Sequence, residues 1–129
     1  MLRWLTLALA LVLPACAQTV QAPPAALTPT PADAPILLTR TALPSPVLYQ
    51  IIGPIVVHKT THGQEAWVFD RLAAAARQVG ANAVMRVTTR FAPSWGGWAT
   101  PRGAGIAIRI LEPGVNEVGQ LPAVQAEWR

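Results

Sequence analysis

The chain has one cysteine, Cys16, so an intramolecular disulfide is excluded. It has one lysine, Lys59, and only six carboxylates in 129 residues. No glycine occurs before Gly53, whereas seven of the thirteen prolines fall between Pro23 and Pro46. That uneven distribution separates a leading segment from a globular part expected to begin near Val47. No apolar run reaches the roughly 20 residues that a bilayer span requires. The charge that is present is mostly basic, with a net of +4. Beyond residue 15, nine basic minus six acidic residues leave +3. That is a mildly basic small domain and not a nucleic-acid-binding arm, so no nucleic acid is expected as a partner.

The amino terminus reads as an export signal over residues 1–15. Arg3 and the terminal amine form a short positive region, and Leu5 to Leu13 supplies an uncharged stretch of the usual length. Two cleavage readings compete. Leu13-Pro14-Ala15-Cys16 resembles a bacterial lipobox, although Pro14 is atypical in its slot. Alternatively, Ala15-Cys16-Ala17 is a small-residue site with cleavage before Gln18 and loss of the cysteine. A free thiol in an oxidising compartment is a liability, and lipidation of Cys16 removes it. The expectation is therefore a lipoprotein of the cell envelope, anchored by Cys16, with Ala17 fitting retention at the periplasmic face of the outer membrane. The alternative is a soluble periplasmic or secreted protein.

Residues 16–46 read as the lipidated cysteine and a proline-rich tether. Each proline removes a backbone donor and restricts its predecessor to extended conformations. Thirty residues of polyproline II would reach on the order of 90 Å. Ile36-Leu37-Leu38 interrupts this pattern. It either docks on the domain as a short edge strand or stays an unstructured apolar patch.

The expected fold is α+β: a small β-α-β-β domain over 47–111, with one helix packed on an antiparallel or mixed sheet. Val47 to Val57 is rich in β-branched residues, and its central Gly53-Pro54 implies a bulge or an edge position. Thr61 to Gln64 fits a capping box, and apolar residues at 69, 72, 73, 76 and 79 recur at helical spacing. Gly80 is the stop signal. Ala83 to Phe91 alternates, with Ala83, Met85, Val87 and Phe91 expected inward and Arg86, Thr88 and Arg90 outward. In Gly105 to Leu111, Ile106, Ile108 and Ile110 are expected inward and Ala107 and Arg109 outward. Between these strands lies a glycine-proline loop with Trp95 and Trp98. Residues 112–129 read as a loose tail.

YQIIGPIVV, then RQVGANAVMRV at a helix end, then GAGIAIRI resemble the YbjQ-type heavy-metal-binding family over about residues 48–111. Export signal, proline-rich stalk and this domain together are similar to the RcsF-like envelope lipoproteins. The resemblance implies the fold, self-association into a homo-oligomer and, for the RcsF-like organisation, stress sensing. Those lipoproteins carry structural disulfides, so a disulfide-based sensing mechanism does not transfer to a domain without cysteine.

Catalysis finds little footing. Ser94 lies in a loop, and nothing in the spacing brings it to His58 or His62. Glu65 and Asp70 fall on different faces of the helix. No enzyme activity and no cofactor are expected. The expected function is an interaction or stress-sensing module, meeting an envelope protein or an anionic surface through Arg86, Arg90, Arg109, Trp95 and Trp98. Tryptophan and arginine are the residue types enriched at interface hot spots. The alternative is metal binding, with His58, His62 and Glu65 as the weak candidate ligands. A zinc site usually wants four ligands with Cys or His among them, so no metal site is expected.

Overall fold

The computed structural model describes residues 20–21, 27–93 and 99–129. Cys16, the export signal, Trp95 and Trp98 lie outside the described residues. The fold is α+β, with one main helix on a mixed sheet. The strands are β1 (Val20–Gln21), β2 (Leu37–Leu38), β3 (Leu48–His58), β4 (Ala83–Pro93), β5 (Ala99–Glu112) and β6 (Glu127–Trp128), in the spatial order β1-β3-β5-β4-β2-β6. Three long strands, β3, β5 and β4, form the antiparallel centre. β2 adds to β4 in parallel, and β6 closes that side antiparallel to β2.

Helix α1 (Glu65–Gln78) starts later than the capping-box reading placed it: Gln64 is the N-cap and makes no side-chain capping bond. Its end is as the glycine signalled. Gly80 has φ 81°, its N–H donates to Arg77 O, and the Ala81 N–H reaches Ala76 O. This pairing is a Schellman ending. The stretch expected to be tether completes it. Leu27 N–H donates to Val79 O at 2.8 Å and Thr30 N–H to Arg77 O at 2.7 Å. A side chain at Gly80 would sit 2.5 Å from Thr28 O, so this position must be glycine for two reasons. Asn82 then clamps β5: its amide accepts from Ile110 N–H at 2.7 Å and donates to Ile110 O at 3.2 Å.

α1 packs Val68, Phe69, Leu72, Ala73, Ala75 and Ala76 onto one sheet face. Gly103 and Gly105 of β5 lie beneath it, and an added Cβ would come 2.1 Å from Val68 Cγ1 or 2.5 Å from Val84 Cγ1. The helix approaches closely at Gly103, which carries no side chain, while Val84 and Val87 of β4 fill the space over Gly105. Ala107 joins this core with Ile52, Ile55, Val57, Val84 and Val87.

The orientation of β5 therefore corrects the sequence reading. Ala107 is the residue under the helix, while Ile106, Ile108 and Ile110 face the opposite side. β4 departs too. Between Met85 and Thr88 it holds one extra residue against β5, and Arg86 takes φ 53° there. The bulge turns the alternation over: Met85 faces one core and Val87 the other. Phe91, expected inward, is exposed.

The second face has its own core, which the β-α-β-β reading lacked. Leu43, Val47, Val118 and Val124 cover Ala83, Met85, Ile108 and Ile110. Residues 112–129 are thus not a loose tail. They form a short helix, α2 (Val115–Gly119), and β6, and Arg129 exchanges backbone hydrogen bonds with Ile36. Ile36, Leu37 and Leu38 are fully buried, with β2 inside the sheet order and not at its edge.

Candidate functional site

Among the described residues, the second face is covered only at one end. Towards the other end, β3, β5 and β4 present Val56, His58, Ala104, Arg102, Thr88 and Arg90, which line an open groove of about 440 Å³. The register aligns them. His58 pairs with Arg102, and Arg102 pairs with Arg90, so one imidazole and two guanidinium side chains form a row across three adjacent strands. One step along, Val56, Ala104 and Thr88 make a second row, and Ala104 keeps its floor low.

Two like charges directly opposite one another in an antiparallel pair repel. Here neither is neutralised: among the described residues the ion pairs are Arg40–Glu65, Arg129–Asp70 and Arg129–Glu127, and no carboxylate pairs with Arg90 or Arg102. Both arginines are exposed, whereas His58 is half-buried.

A second groove, of about 360 Å³, runs beside the first turn of α1 and is lined by Arg40, Glu65, Phe69, Glu127 and Arg129. Its charges satisfy one another. Glu65 accepts from Arg40 and, at 3.0 Å, from Thr89 Oγ1. Arg40 and Arg129 both lie over the Phe69 ring, at 5.3 and 5.7 Å from its centroid. This internally balanced cluster ties the C-terminus to α1 and leaves no charge to offer a ligand.

The residues singled out from sequence separate. Arg90 belongs to the basic row. Arg86 is the bulged residue of β4 and is exposed. Arg109 lies seven residues from Arg102 along β5, roughly 23 Å away at strand spacing. By alternation it shares a face with Ala107, and its guanidinium donates to Gly80 O at 3.2 Å. The expected single outward surface of Arg86, Arg90 and Arg109 is therefore corrected. Trp95 and Trp98 lie outside the described residues. His58 ends β3 and His62 stands exposed before the helix, while Glu65 is held by Arg40 and Thr89. No three His, Cys, Asp or Glu side chains gather at one point among the described residues.

Sequence reasoning missed Arg102, because TPRGA reads as loop: it lacks alternation and contains Pro101. The strand nonetheless begins at Ala99. Pro101 is tolerated because it lies past the last β3 pairing, where its carbonyl accepts from Lys59 N–H. A scan against protein-family models finds no match for this chain, and searches of curated proteins and of solved structures find none.

Proposed function

We propose that the protein is an exported, lipid-anchored envelope protein without catalytic activity, acting as an interaction or stress-sensing module of the YbjQ-type fold family. Its working surface is the open half-face with Arg90, Arg102 and His58. The observation that carries this reading is the facing pair of arginines without a counter-charge. Such a pair costs the fold some stability and gains it back when an anionic partner arrives. The metal-binding alternative has less support, since a cation at His58 and His62 would have to draw Glu65 away from Arg40 and Thr89.

The anchor is tested by Cys16→Ala. The variant is expected to move from membranes to the soluble exported fraction, because several acyl chains hold stably where one is marginal. A mature chain beginning at Gln18 would disprove the anchor. Self-association, also part of the proposal, has a suitable place at the edge of β3, where Leu48 and Ile51 are each 58% exposed. Sedimentation at high concentration is expected to show a dimer or larger species, and its absence removes that part of the proposal.

A further inference from the structure

The position of β1 bears on which anionic partner the basic row meets. Val20 pairs with Val57 and Gln21 with Val56, antiparallel to β3. Val57 adjoins His58, so the N-terminal end of β1 points to the end of the sheet that carries His58, Arg102 and Arg90. Cys16 lies four residues before Val20. Four residues span at most about 14 Å. The tether of some 90 Å expected from the proline content is absent from this geometry, because residues 27–47 are built into the domain.

We infer that the Arg90–Arg102 row rests on the anionic phospholipid headgroups of the membrane that holds the anchor. This rests on the lipoprotein reading above. The shape of the site agrees with it. Its floor is the half-buried Ala104 between Val56 and Thr88, and both arginines stand exposed beside it. Among the described residues no buried polar side chain lines it to define a small ligand, and an exposed row of cations suits an extended charged surface. Chain length holds Val20 within about 14 Å of the anchor, and Arg102 and Arg90 stand two and three strands further across the sheet, about 10 and 14 Å, so the row meets headgroups at high effective concentration. The lipid phosphates then supply the counter-charge that the chain's own carboxylates do not.

The full chain, purified from its host membranes, is reconstituted in vesicles of neutral phosphatidylcholine or of phosphatidylcholine with phosphatidylglycerol. An arginine-specific dicarbonyl reagent labels it, and mass spectrometry reads each arginine, with Arg40 and Arg86 as internal references. Arg90 and Arg102 are expected to label about fivefold more slowly on the anionic vesicles, in line with the attraction of one cation to such a surface. That protection should fade as salt approaches 1 M, where screening acts within about 3 Å. Equal rates on both vesicles overturn the inference. So does equal protection by inorganic phosphate on neutral vesicles, which marks a soluble-anion site, or protection that follows a co-purifying acidic protein. The mass of the N-terminal peptide reports the acyl groups separately. An acylated chain without protection sinks only the membrane-facing surface, whereas an unacylated chain sinks the lipoprotein reading. In that case the same labelling with vesicles added still decides the surface.

Discussion

The two faces of the sheet are made by the same strands and closed by different means. On one face a single helix lies over Gly103, Gly105 and Ala107, so small residues allow a close, continuous cover. On the other, Ile106, Ile108 and Ile110 stand up from β5 and meet chain segments from 43–47 and 115–124. Those segments run out before the strands do, and the part that no described residue covers is where Arg90, Arg102 and His58 lie. The helix side leaves a groove whose charges balance one another, whereas closure by 43–47 and 115–124 leaves the basic row at the end they do not reach.

The comparison breaks first at the helix. Leu72 is fully buried, and Leu72→Ala is expected to cost about 2–5 kcal/mol, read as a lower denaturant midpoint at unchanged slope. A cost below about 1 kcal/mol would mean that the helix face is not the tighter one.

A smaller effect is expected from the sheet side of the same contact. Gly103→Ala places a methyl against Val68 and should cost about 1–3 kcal/mol through overpacking. Combining it with Val68→Ala should restore most of that loss, and thermal melts of the four chains give the coupling directly. Failure of Val68→Ala to rescue would show that the helix does not rest on that glycine.

The smallest effect lies on the open face and has the opposite sign. Replacing Arg90 and Arg102 together by Gln removes a facing like-charge pair and is expected to stabilise the isolated protein by about 0.2–1 kcal/mol at low salt. The gain should shrink with added salt. Destabilisation by that double change would show that the arginines hold the fold and are not held in reserve for a partner.

Several elements were legible in local sequence because each depends on a few neighbouring residues. Gly80 ends α1 because only a residue at ease with positive φ fits there. Gly53-Pro54 marks irregular pairing, and a register shift falls between Ile51 and Gly53. Other features depend on distant segments. Alternation in β4 reads cleanly from Ala83 to Phe91, yet the bulge at Arg86 reverses it midway, where Arg86 N–H donates to Thr41 O and Val87 N–H to Thr39 O. Nothing in residues 83–91 announces a partner 45 residues or more away. The C-terminal stretch looked loose for the same reason: its apolar residues, Val118 and Val124 among them, follow no sustained period, and only the face of β5 shows what they cover.

The sequence by itself determined the α+β class, the helix and its stop, the three long strands and the basic balance, since propensity, spacing and charge count act locally. Tertiary structure decided which face each strand residue takes. It also drew the proline-rich stretch into the sheet and set Arg102 between His58 and Arg90 while sending Arg109 to the other face. The physical reason is register. A strand's alternation says only that neighbours point oppositely, and the direction is settled by what packs on each side: in β5 the small residues go under the helix and the isoleucines go to the face covered by 43–47 and 115–124.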